Sequence, residues 1–236
     1  AYTIDLEAWK ERLKRYSALL QPYLKNFASA AAFNFEIRRS YFLNSEGTEV
    51  VQNNPHALVA ISGITSTEED QAIFVQYVEH AFTPENLPSE EKLISELEEY
   101  TSIITAMKSS PKAEPYVGPA ILSPEAAGVF FHEIFGHRIE GHRLAYKYDS
   151  KTFREKVGDP ILPKFLSVTF DPGQSNYKGI DLIGHYKYDN QGIPGQRVEC
   201  IKEGILNSYL MSRKPVEGFE HSNGHGRSDL ASTPVS

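Results

Sequence analysis

The chain has 236 residues, is 40% hydrophobic and 23% charged, and carries a formal charge of −7, a composition that supplies one large or two modest hydrophobic cores. An isoelectric point near 5.7 and scattered Lys and Arg residues leave no basic footprint, which argues against nucleic acid as a partner. The single cysteine, Cys200, excludes an internal disulfide framework, and no apolar run approaches the ~20 residues needed to cross a bilayer, so a soluble chain with no membrane partner is expected.

Leu6, Trp9, Leu13, Tyr16 and Leu20 recur at three- and four-residue steps, which predicts a helix with one buried face from Asp5 to about Phe27, kinked or ended by Pro22. Ala31 to Leu43 and Thr48 to Gln52 read as two strands joined by the turn Asn44-Ser45-Glu46-Gly47, with a further strand over His56 to Thr65. Ile73 to Val78 favours strand by its β-branched and aromatic content, with a short helix as the alternative. Ser89 to Lys108 carries a Ser cap, Glu90 and Glu91 in the first turn, and Leu93, Leu97, Tyr100, Ile104 and Met107 on one face, the signals of a helix.

Ser109 to Glu114 reads as a linker, which divides the chain at 112/113. Beyond it, Tyr116 to Leu122 is expected as a short strand. Ser123-Pro124-Glu125 then opens a helix with a cap, a first-turn proline and an acid. After Tyr148 the pattern turns to short strands broken by Asp171-Pro172-Gly173, Asn190-Gln191-Gly192 and Glu203-Gly204. The expected fold class is α+β: an N-terminal helix and strand subdomain over 1–112, then a β-rich subdomain over 113–236 carrying one buried motif helix.

His132-Glu133-Ile134-Phe135-Gly136-His137 holds two imidazoles that can ligate zinc and a carboxylate that can act as a general base, a HExxxH motif. Histidines four residues apart stand ~40° apart around a helix, but five residues put His132 and His137 ~140° apart. An inserted residue forming a π-bulge would restore a shared face, and Gly136 would ease that distortion. An undistorted helix would instead present Glu133, His137 and Glu140 on one side, with Glu140 as a possible ligand. The apolar neighbours Val129, Phe130, Phe131, Ile134 and Phe135 predict a largely buried helix, where unpaired histidines and glutamates would be costly.

The run Ser123-Pro124-Glu125-Ala126-Ala127-Gly128-Val129-Phe130-Phe131-His132-Glu133-Ile134-Phe135-Gly136-His137-Arg138-Ile139-Glu140-Gly141 resembles the signature helix of the TldD/PmbA family. Phe153 to Gly158, Val168 to Pro172, Tyr188 to Pro194, Lys202 to Arg213 and Gly224-His225-Gly226-Arg227 follow in that family's order. The resemblance covers Pro115 to Ser236. It implies a zinc-dependent endopeptidase of the catalytic, two-histidine type, with His132 and His137 as ligands and Glu133 as base. Further implications are unfolded or modified peptides as substrates, an enclosed cleft and a dimer, either homodimer or heterodimer with a paralogue. The family's third zinc ligand is a cysteine downstream of the glycine-rich stretch, so it is expected beyond Ser236 and the chain is expected to be a fragment. A cytoplasmic location is implied, with an exported form left open.

Two other function classes stay open. One is a non-catalytic binding or assembly subunit of such a heteromeric protease; the other is a metal-dependent hydrolase acting on a different bond. Cys200 reads as a small packed thiol, and His142, flanked by Arg138 and Arg143, as part of a solvated helix end. His56 and His80 read as surface histidines, His185 and His221 as turn residues, and His225 as a candidate cleft residue.

Overall fold

The computed structural model describes residues 2–24, 29–146, 153–228 and 232–236. Helix α1 spans Leu6–Leu20 and is capped by Asp5, whose carboxylate accepts from Ala8 N at 2.9 Å. A 3₁₀ turn carrying Pro22 follows at Gln21–Tyr23, so the helix stops where the missing proline N–H ends its ladder. The expected extension over 25–27 lies outside the described residues.

Strands β1 (Ser29–Leu43), β2 (Glu49–Ser66) and β3 (Ala72–Ala81) form a sheet in that order, β2 and β3 pairing antiparallel from Ala57↔Ala81 to Ser66↔Ala72. The two strands expected over 48–52 and 56–65 are one. Pro55 interrupts the sequence pattern but lies before Ala57, the first residue paired with β3, so its missing N–H costs that ladder nothing. The strand reading of 73–78 holds and extends to Ala81.

Helix α2 (Glu90–Ser109) is capped by Ser89, which accepts from Lys92 N at 3.3 Å. By contacts the chain forms two compact units, one of residues 1–38, 53–117 and 178–183, the other of 39–52, 118–177 and 184–236. The first unit's core joins Tyr16 and Leu20 of α1, Val59 and Ile61 of β2, Ile73 and Val75 of β3, and Leu93, Leu97 and Ile104 of α2. Alternate residues of the strands supply it, as the two-residue period requires: Phe74, between Ile73 and Val75, is exposed.

The expected strand at 116–122 does not form. Tyr116, Val117 and Ile121 are exposed, and among the described residues the stretch is in no strand; Pro119 has no N–H to give a ladder. In the second unit, helix α3 (Pro124–Ile134) follows, then short strands β4 (Val168–Phe170), β5 (Asn176–Tyr177), β7 (Val198–Lys202) and β8 (Ile205–Leu206), while β6 (Ile180–Asp181) belongs to the first unit. Strand β7 lies between β4 and β8, antiparallel to both. Its Val198, Cys200 and Ile201 pack with Leu206, Tyr209, Met211, Val216, Phe135 and Ile139 into a second core. The chain is α+β, and among the described residues no helix is long and apolar enough to cross a membrane.

Candidate metal centre

Ser123 caps α3 by accepting from Ala126 N at 3.3 Å, and Pro124 occupies the first turn, as the sequence predicts. Its burial does not follow the expectation: α3 has no buried residue, and Val129 is 64% and Phe130 48% exposed. Apolar composition marks surface that something can cover, but among the described residues the second unit's core includes none of α3.

The motif is anchored at its other end. The α-helical ladder ends with Phe135 N donating to Phe131 O at 3.0 Å, and the chain continues with Arg138 N to Phe135 O and Ile139 N to Gly136 O, a 3₁₀ turn at Gly136–Arg138. The break falls on Phe135 (φ −124°, ψ −52°). No π-bulge forms, and Gly136 is not forced to be glycine, since a Cβ there would meet only Phe131 O at 3.9 Å. Phe135 and Ile139 are buried in the second core. Beyond them Gly141 N donates to Leu210 O at 2.8 Å while Leu210 N donates to Ile139 O at 2.9 Å. A Cβ on Gly141 would sit 2.3 Å from Met211 Sδ and 2.6 Å from Leu210 O, so only glycine admits this close approach.

With the helix broken, the five-residue spacing no longer spreads the imidazoles: the rings of His132 and His137 lie 4.5 Å apart at 76°. Ligand atoms of His132, Glu133 and His137 all fall within 4.8 Å of one another, and among the described residues no further His, Cys, Asp or Glu joins them. Glu133 lies close to both rings, one oxygen 3.9 Å from His132 Nε2 and the other 4.0 Å from His137 Nε2. On a tetrahedral zinc two nitrogens stand ~3.3 Å apart, given bonds of ~2.0–2.1 Å. His132 and Glu133 are exposed and His137 is half-buried, so small rotations close the gap and the donor set fits such an ion.

Glu140 does not join this cluster as a third donor. Its Oε1 is 2.6 Å from His137 Nδ1, the nitrogen facing away from Glu133, and its Oε2 accepts from Arg143 Nε at 2.6 Å. The spacing put Glu140 beside His137 but as a possible metal ligand, and it gave no sign of the ion pair with Arg143. His142 is largely buried rather than solvated, its N–H and Nδ1 both meeting Ser236.

Cys200 is a packed thiol, fully buried in the second core, and burial pushes its pKa up to about 12; a protonated, enclosed sulfur is a poor metal ligand. His225 is also buried. Its Nδ1 lies 3.0 Å from both Asn223 O and Oδ1, Nε2 meets no partner among the described residues, and burial holds its pKa down, so the ring stays neutral. His185 Nδ1 lies 2.8 Å from Pro172 O. His56 and His80 pair with each other across the sheet, Nε2 to Nδ1 at 3.0 Å, a partnership diagonal in the register and hidden from sequence periodicity.

Two imidazoles close to a carboxylate form a donor set of the kind that metal-dependent hydrolases use. Residues 115–236 match the family model of the PmbA/TldA metallopeptidase C-terminal domain, and the chain belongs to the TldD/PmbA family. It is 35% identical over 116 residues to a metalloprotease of Methanocaldococcus jannaschii, covering 49% of this chain and 24% of that protein. To a zinc metalloprotease TldD homolog of Saccharolobus solfataricus it is 26% identical over 202 residues, covering 82% of this chain and 41% of that one. The solved structure of TldE from Thermococcus kodakarensis superposes over 96% of this chain and 49% of its own, at TM-score 0.67 and 18% identity. A Thermotoga maritima structure does so over 98% and 51%, at TM-score 0.69 and 14% identity. The chain thus spans about half the length of these solved proteins and less than half of the curated relatives. The structural likenesses establish the fold, and metalloprotease is what the curated relatives are named.

Proposed function

We propose that this chain contributes the active site of a zinc-dependent endopeptidase acting on unfolded or modified peptides. The observation that carries this reading is the convergence of His132, Glu133 and His137 on one side of a broken helix. His132 and His137 would hold the ion, with a third protein ligand supplied from outside residues 1–236. When bound, zinc would polarise the scissile carbonyl and lower the pKa of the attacking water. Glu133, whose oxygens lie about 4 Å from both Nε2 atoms, would take that water's proton and return it to the leaving nitrogen. The exposure of the motif accords with a partner chain completing the cleft, either a second copy or a paralogue, and neither nucleic acid nor membrane enters this reading.

Replacing Glu133 by Gln in the full-length protein keeps the shape and one acceptor but removes the base. Zinc content by elemental analysis should stay at the wild-type level while cleavage of an unstructured peptide falls by about a hundred- to ten-thousand-fold. His132→Ala and His137→Ala should lose metal and cleavage together. Turnover above about a tenth of wild type in Glu133→Gln would exclude Glu133 as the base. A wild-type protein that holds no zinc at neutral pH would favour the non-catalytic assembly subunit instead.

A further inference from the structure

The contact between His137 and Glu140 has a consequence for which nitrogen is available to an ion. An ionised carboxylate only accepts hydrogen bonds. Glu140 Oε1 at 2.6 Å from His137 Nδ1 therefore places the ring's proton on Nδ1 and leaves the lone pair on Nε2, the nitrogen on Glu133's side. The carboxylate is itself held: Arg143 Nε donates to its other oxygen at 2.6 Å. The backbone of the segment is fixed by the reciprocal Ile139, Leu210 and Gly141 bonds and by buried Ile139. Among the described residues His132 has no comparable partner on its Nδ1, so the two imidazoles are unequal: one is oriented before any ion arrives and the other is not.

We propose that Glu140, clamped by Arg143, is a positioning residue for the metal centre, fixing the Nε2 lone pair of His137 toward the ion. The arrangement is the carboxylate–imidazole–metal relay, in which the outer carboxylate sets the tautomer and loss of it weakens metal binding. It also accounts for the Glu-Gly pair at 140–141. Gly141 lets the chain press against Leu210 and Met211, and that approach holds Glu140 beneath His137. This inference rests on the zinc reading above.

The test uses the full-length protein as wild type, Glu140→Gln, Arg143→Gln and His137→Ala, with two readouts. One is zinc affinity by competition with a chromophoric chelator, and the other is the imidazole ¹⁵N spectrum of selectively labelled histidine. Glutamine has a single acceptor oxygen and cannot serve both Arg143 Nε and His137 Nδ1. Glu140→Gln should bind zinc about ten- to a hundredfold more weakly, and the metal-free spectrum should shift from one Nδ1–H tautomer of His137 to a mixture. Arg143→Gln should move both readouts the same way by less, and it decides the matter if Glu140→Gln does not fold. Unchanged affinity and an unchanged tautomer in the folded variants would overturn the role of Glu140 while leaving the zinc site standing. If wild type binds zinc no better than His137→Ala, the zinc reading fails and this inference falls with it.

Discussion

Helices α2 and α3 start in the same way and end in opposite environments. Each has a serine cap that accepts a first-turn N–H, and each has an acid in its first turn. In α2 the apolar residues keep to one face, and Leu93, Leu97 and Ile104 are buried against the first unit's sheet and α1. In α3 Ala126, Ala127, Phe130, Phe131 and Ile134 also share one side, opposite Glu125, His132 and Glu133, yet none of them is buried. The comparison separates two properties that sequence reading tends to merge. Local chemistry decides whether a helix forms and where it begins, whereas burial depends on what the rest of the chain brings to it. An apolar stripe implies a neighbour, but it does not say whether these residues themselves supply that neighbour.

The largest effect expected from this contrast lies in α2. Leu97 is fully buried, and Leu97→Ala removes its contacts and leaves a cavity, a loss of about 2–5 kcal/mol in the unfolding free energy of the 236-residue chain measured by urea denaturation. A smaller effect belongs to the anchored end of the α3 segment. In Gly141→Ala the new methyl meets the flexible Met211 side chain, which can move, and the backbone oxygen Leu210 O at 2.6 Å, which cannot without breaking its bond to Gly141 N. A cost of about 1–3 kcal/mol should appear in the same denaturation experiment. A stability equal to wild type would mean that the 139–141 and 209–211 segments are not pressed together.

Most of the fold was legible because its signals are local. Asp5, Ser89 and Ser123 cap their helices, Pro22 ends α1, and alternation along Ile73 to Val78 marks a strand. What escaped sequence reading depends on long-range partners. Two strands were expected over 48–52 and 56–65 where β2 is continuous, and its pairing with β3 begins only at Ala57. Tyr116 to Leu122 has strand composition but forms no strand among the described residues. At the site, the five-residue histidine spacing correctly implied a distorted helix. Its form was not legible, because the break at Phe135 is imposed by burying Phe135 and Ile139 and by bonds to Leu210, nearly seventy residues away in sequence. Glu140 was recognisable as a neighbour of His137, but which nitrogen it meets is a matter of side-chain geometry.

The smallest expected effect is the sharpest test of the contrast. Val129 lies in the middle of α3 and is 64% exposed, so Val129→Ser exchanges an apolar side chain for a polar one where little apolar surface was removed from water. Valine and serine differ little in helix propensity, and the substitution touches no cap, core contact or motif residue. The unfolding free energy of the 236-residue chain should therefore stay within about 0.5 kcal/mol of wild type. The equivalent change at Leu97, with the same sense of polarity, should be severely destabilising. A loss above about 1 kcal/mol at Val129 is outside the range of an exposed site, and it would show that this face of α3 is covered when the chain folds. The difference between the two helices would then be one of partner rather than of burial.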